Sequence, residues 1–450
     1  MDPQAEQRVL ATLYDRLFDA ISYNPQGGST IDRSNTRLMM AKNFVLDPAD
    51  FANAASPLNP GPNADYTKAK AFSDLADPLP DLSAVEWISA PNPLSGTYPT
   101  IVNGANATSK PDPEQQKKYN AAYGYLNVTT KIQNYDGSFT ESVGPSPIAQ
   151  TYNDNQSAYI NAVGGFRIAQ NGYDLSNPAD QRAFNAVAPG LQNTVDQAWN
   201  KWNREGKANV EQAQNAMASS INDAVSAAIT QAQQLVSPGH MQAALPGGNP
   251  WLLSYGQPVN WMDPKLKGSM LTLRSSYLNK DASSEATSYS AGGGFSYGLW
   301  SASGNYGHGD ETQNFHMDAS DFELNAELVQ VRIMRPWYNP LLFTMNGWNV
   351  KGYGRNDISN KAMPWVATTF VFARNVTIKS NFTSQDQSHF ASHDTATTSV
   401  GWGPFSVSGS YSHSQSKDKF QSKLDAGTLS LPGLQVIAFV CSRTPPSPPA

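Results

Sequence analysis

Five of the chain's six histidines lie between residues 308 and 413: His308, His316, His389, His393 and His413. Carboxylates accompany them at Asp310, Asp318 and Asp394. His389 and His393 are four residues apart, the spacing that puts two imidazoles on one face of a helix for a divalent metal. The surrounding Ser/Thr-rich segment is a poor helix former, which weighs against that arrangement. His308 and His413 occupy matching positions in two related segments, so a twofold arrangement of those segments would bring them together. Imidazoles also titrate near neutral pH, so the same residues are candidate proton sensors. The plainer reading is that each ends a strand and meets solvent. The four histidines are candidates for a metal site, but the sequence names no cofactor.

A second chemical signal is Gly294-Phe-Ser296-Tyr-Gly298, which fits G-x-S-x-G. A nucleophile elbow needs a strand, a sharp turn and a helix. Here the motif enters a strand-like run crowded with Gly and Ser, and the related segment has Gly401 in place of Ser296. Gly292–Gly294 lacks the lysine and spacing of a phosphate loop. The expectation is a non-enzymatic protein.

These residues belong to a repeated segment. The run 297–308 returns 105 residues later as 402–413. Gly298/Gly403, Trp300/Phe405, Ser301/Ser406, Ser303/Ser408, Gly304/Gly409, Tyr306/Tyr411 and His308/His413 align without a gap, and Gln330-Val331/Gln435-Val436 keep the offset. Self-similarity of this kind marks duplicated structural units. Within each copy the side chains alternate between faces. Trp300, Tyr306, Phe405 and Tyr411 are expected in a core, and the interleaved serines in water. Strands are expected at 269–277, 295–308 and 322–335, with counterparts at 369–379, 400–413 and 428–440. In 322–335 the apolar set changes from Phe322, Leu324, Ala326 and Leu328 to Val329, Val331 and Ile333, which predicts a bulge near Leu328-Val329.

The N-terminal half must position this duplicated unit. Apolar spacing predicts a helix over 4–22. Asp112-Pro113 and Asn177-Pro178 read as helix starts. The second of these helices should stop at Ala188-Pro189-Gly190. Residues 191–236 carry the longest periodic run, broken if anywhere at Gly206. The fold class is α+β: a mainly helical N-terminal half, then a duplicated antiparallel β unit, sandwich or barrel-like. Boundaries are placed at 1–240, 250–335, a linker at 336–365, 366–442 and a Pro-rich tail at 443–450.

Composition narrows the partners. Only 15% of residues are charged and the net charge is -6, against about 25% charged in average soluble proteins. No basic footprint exists for nucleic acid. The single Cys441 excludes an internal disulfide. The N-terminus lacks a signal-peptide pattern, which predicts cytoplasmic synthesis or release by a non-classical route. Trp251, Trp337, Tyr338 and Trp365 flank the units and are candidate membrane or ligand contacts. Ser/Thr/Gly-rich stretches at 283–294 and 384–399 precede the repeated strands. Strands that alternate aromatic and hydroxyl residues suit a protein that stays soluble and then builds a barrel in a membrane. The first expectation is a β-pore-forming, toxin-like protein with a lipid membrane or glycan as partner, acting as a homo-oligomer. A self-assembling or carbohydrate-binding protein comes second, and a metal-dependent hydrolase third.

Overall fold

The computed structural model describes residues 3–22, 34–41, 44–59, 64–81, 87–108, 112–133, 137, 139–220, 224–237, 249–278, 283, 286–288, 300–303, 322–382, 399–412, 419–431 and 433–449. The fold is mixed α+β, with helices concentrated in the N-terminal half and antiparallel strands in the C-terminal half.

The helices are α1 (Pro3–Ser22), α2 (Tyr66–Ala76), α3 (Leu94–Asn103), α4 (Pro113–Leu126), α5 (Pro147–Asn171), α6 (Pro178–Arg204), α7 (Lys207–Ser220) and α8 (Val225–Leu235). Their starts follow local chemistry. The Asp112 carboxylate accepts from Glu114 N at 2.9 Å, and Asn177 Oδ1 accepts from Ala179 N at 2.8 Å, each just before a proline at the first turn. The expected stop at Pro189 does not occur. α6 runs through it because Phe184, Val195 and Trp202 form a continuous buried stripe, while Pro189 lies on the exposed side. The segment 191–236 is three helices in succession. Gly206, at φ +92, makes the first break beside Ile148.

The strands are β1 (Thr36–Met40), β2 (Val45–Leu46), β3 (Ala105–Ala107), β4 (Asn127–Gln133), β5 (Phe139–Pro145), β6 (Tyr255–Gln257), β7 (Ser269–Arg274), β8 (Trp300–Ser303), β9 (Phe322–Met334), β10 (Trp348–Val350), β11 (Trp365–Ser380), β12 (Ser399–Trp402), β13 (Phe405–Ser410), β14 (Lys419–Gln421), β15 (Lys423–Asp425), β16 (Thr428–Leu431) and β17 (Leu434–Arg443). The main sheet is antiparallel and centred on β11. β9 lies on one side of β11, with β6 and β7 beyond it. On the other side are β17 and β16, with β1 and β2 beyond β17 and β15 beyond β16. The sheet is open, not a closed barrel. The expected N-terminal half therefore contributes two strands to the C-terminal sheet.

The register shows the duplication directly. β7 pairs with β9 through Leu271↔Ala326, Leu273↔Leu324 and Arg274↔Glu323. Adding the 105-residue offset to both members gives Val376↔Leu431, Ile378↔Leu429 and Lys379↔Thr428, which are pairs observed between β11 and β16. The two copies thus fold as the same strand pair, side by side.

Both faces of the main sheet are covered. On one face, α1 and a second sheet of order β14-β13-β12-β8 enclose a core with Leu13, Leu17, Leu273, Leu324, Ile378 and Trp402. On the other, Phe51, Phe72 of α2, Trp87 and Trp261 pack on Val331, Phe370, Phe372 and Phe439. Trp261 stacks on Phe372 at 4.8 Å and Trp87 on Phe439 at 3.7 Å. This two-sided burial replaces the expected bulge in β9. Phe372↔Val329 and Ala373↔Leu328 pair without a slip. Leu328 faces the first core and Val329 the second, so the apolar register changes because a different face becomes covered. The slip occurs in β11 between Arg374 and Thr377, where Asn375 has φ +52.

Residues 336–365, read from sequence as a linker, supply Trp337, Leu342, Phe343 and Trp348 to a third core with α3, α4 and α8. The Pro-rich tail is docked there too. Ser447 is fully buried, and its carbonyl accepts from Ile358 N at 3.1 Å.

Candidate functional site

The duplication places two long excursions at one end of the main sheet. β7 ends at Arg274, opposite Glu323 near the start of β9. β11 ends at Ser380, opposite Phe322, and Lys379 pairs with Thr428 at the start of β16. The chain therefore leaves and re-enters at the same edge in both copies. The segments between these strands, 275–321 and 381–427, are 47 residues each, and the second rejoins the main sheet at β15, which pairs with β16 from Lys423 to Asp425. Where described, the two are joined to each other: β8 of the first pairs with β12 of the second, Trp300↔Trp402 through Ser303↔Ser399.

The hairpin β12–β13 turns at Gly403-Pro404, and Gly403 has φ +54, a conformation that glycine adopts without a Cβ clash. Its tip is apolar. Trp402 is 0% exposed and Phe405 1%, within the core that contains Leu10 and Leu13 of α1. Leu10 Cδ2 stands where it would touch a Cβ at Gly403, at 3.4 Å. α1 also holds the base of the first excursion. Asp15 accepts from Ser283 N at 3.1 Å and from Ser283 Oγ at 2.6 Å. Arg16 donates to Thr272 O at 2.9 Å, and burial brings its guanidinium down to about 10, still charged at neutral pH.

A side-chain amide fastens the second excursion to the sheet. Ser406 N donates to Gln435 Oε1 at 2.8 Å, and Gln435 Nε2 donates to Ser406 O at 3.0 Å. Both residues are 1% exposed, so the amide acts as a one-residue strand partner inside the core. This overturns the expectation of solvation for one of the serines between the aromatics: Ser406 is buried, with its backbone paired to the Gln435 amide. Ser408 and Ser410 become progressively more exposed. Tyr411 is half-buried and packs on Phe420 at 5.4 Å.

His308, His316, His389, His393, His413, Ser296 and Tyr306 lie outside the described residues, as do 384–398 and most of 283–294. Among the described residues no His/Cys/Asp/Glu group of metal-binding size is found, and no helix is long and apolar enough to cross a membrane. Trp337 and Tyr338 come together beside Tyr98, at 5.8 and 5.0 Å, and Trp337 is 4% exposed. Trp251 and Trp365 are half-buried elsewhere. Trp251 packs near Leu253, and Trp365 lies under Arg37 at 5.4 Å. Sequence reasoning missed Gln435, Asp15 and α1 as parts of the site. The conserved offset of Gln330 and Gln435 was the available signal for the first. No protein-family model, curated protein or solved structure matches the chain.

Proposed function

We propose that this chain is a non-enzymatic, membrane-acting protein of the β-pore-forming kind. The observation that carries the reading is the exit of two long segments, in one register, from one end of one antiparallel sheet. Strands that leave a sheet in register are able to extend it. A membrane strand needs ~9–11 residues, so residues 275–321 and 381–422 are each long enough for two such arms and a turn. The sequence supports the same division. Residues 286–309 and 395–416 contain no Asp, Glu, Lys or Arg. In the second, the turn at Gly403-Pro404 leaves uncharged stretches of eight residues at 395–402 and twelve at 405–416, which alternate apolar with Ser, Thr or Gly around Val400, Trp402, Phe405 and Val407, and the first arm reaches strand length only by including His393 and Asp394. That alternation suits one face in lipid and one in a lumen.

One chain supplies four extended strands and two edges. Backbone groups at an edge find no partners in lipid, so closure requires several copies in a ring. The partners are accordingly a lipid membrane and further copies of the chain. Release begins at α1, which shelters the apolar tip, and at Gln435. Dye release from vesicles of neutral, anionic and sterol-containing composition tests the reading, with sedimentation of the lipid-bound species. The expected result is leakage together with a ring-sized oligomer formed only with lipid. Absence of leakage in all three would overturn it. Large particles without lipid would then favour the assembly reading, and retention on glycan resins the carbohydrate-binding one.

A further inference from the structure

At the opposite end of the main sheet, a cavity of about 690 Å³ lies between α5 and β9, β11 and β17. Its size falls within the range of small-molecule sites. Its lining contains Arg332, Arg335 and Arg443 but no Asp or Glu. Arg335 is held as a fixed charge, donating to Ala367 O at 2.7 Å and Ala76 O at 2.5 Å. Arg332 is different. It donates to Gln156 Oε1, a neutral partner, and no carboxylate forms an ion pair with it among the described residues. The other groups acting on its charge are Tyr152 and Tyr255. Burial raises both phenols, Tyr152 to about 12, so both are neutral at physiological pH. A half-buried guanidinium without a counter-charge is costly to keep. A second polar group points the same way. Ser157, one residue on from Gln156, is 3% exposed and lines the cavity, and its hydroxyl has no partner among the described residues. The rest of the wall is largely apolar, with Ile160, Ile333, Val366 and Val440.

We infer that this cavity binds a small anionic amphiphile, its oxyanion held by Arg332 and the Ser157 hydroxyl and its apolar body lying along Ile160 and Val440. Guanidinium and hydroxyl donors match a carboxylate or phosphate head, and the apolar wall gives an alkyl chain a dry surface. The site is at the far end of the sheet from the excursions, so it does not rest on the pore-forming reading.

Calorimetric titration with decanoate, decanol and inorganic phosphate, each below aggregation, tests the inference. Decanoate should bind saturably at one per chain, and decanol at least tenfold more weakly. Phosphate alone should bind measurably if the head dominates, and more weakly than decanoate if the chain contributes. Arg332→Gln should weaken decanoate at least tenfold and Ser157→Ala severalfold. Arg332→Lys should keep part of the affinity, and Arg182→Gln on the exposed side of α6 should change nothing. If Arg332→Gln fails to fold, the Ser157→Ala and decanol comparisons decide alone. Equal affinity for decanoate and decanol, equal affinity in wild type and the folded variants, or no decanoate binding at millimolar concentration would each overturn the assignment.

Discussion

The strand pairs β7–β9 and β11–β16 share one register but have different neighbours. The first pair lies toward a sheet edge, under α5. There Gln330 is half-buried against Gly164 of α5, whose missing Cβ permits the approach. The second pair is next to β17, under the hairpin β12–β13, and Gln435, the counterpart of Gln330, is buried with both amide groups bonded to Ser406. The same residue therefore orders a helix interface in one copy and an excursion in the other. Duplication transmits pairing because pairing is backbone chemistry. It does not transmit a side chain's role, which depends on what covers that face.

The largest predicted difference between the copies lies at Glu327, whose counterpart position is Pro432. Glu327 makes a two-pronged ion pair with Arg374 across the β11 slip, at 2.8 and 3.0 Å, and also accepts from Gly268 N at 2.7 Å and Asn375 Nδ2 at 2.8 Å. Glu327→Ala removes one side of a largely buried pair and should cost ~3–5 kcal/mol in denaturant unfolding. The Arg374 hydrogen bond holds the Glu327 carboxyl below its ordinary 4.5. Its stabilisation is thus present above that value and lost as pH falls through the lower, folded-state value. Wild type should lose stability in that acid window, and the variant should lose less. Equal acid sensitivity would remove Glu327 from the account.

The amide counterparts give the next effect. Gln435→Ala strands a buried N–H and C=O on Ser406 and should cost ~1–3 kcal/mol, whereas Gln330→Ala should cost ~1 kcal/mol or less. Amide exchange along β13 should quicken only in the Gln435 variant. Equal costs would mean that the two copies hold their glutamines alike.

The smallest effect is at the exits. Arg274 pairs with Glu323 at 3.0 Å, while the second copy has Lys379 opposite Thr428, which removes the charge. The Asn325 hydrogen bond, then Arg274, holds the Glu323 carboxyl low. Since both side chains are largely exposed, Glu323→Gln should change stability by less than ~1 kcal/mol at neutral pH, measured by thermal unfolding. A loss of several kcal/mol would show that the first exit is locked by charge.

The sequence made the fold class legible where local chemistry decides the structure. Proline and Asx caps opened α4 and α6, and the ungapped offset anticipated the paired register. It misread features that depend on a distant covering surface. The apolar switch at Leu328-Val329 looked like a bulge, because one strand cannot show that α1 covers one face and α2 the other. Ser406 looked solvated, because Gln435 lies 29 residues away. Pro189 looked like a stop, because the stripe of Phe184, Val195 and Trp202 continues past it only against α5. For the candidate site, the repeat located the excursions, but α1 as their cover came only from packing.

The central claim is that the excursions must leave the sheet for the chain to act on a membrane. A cysteine pair, Ser406→Cys with Gln435→Cys, ties β13 to β17 where the amide now bridges them. Dye release from vesicles should be absent when the pair is oxidised and restored on reduction, with the same helical signal in both states. Equal leakage in both states would contradict the claim.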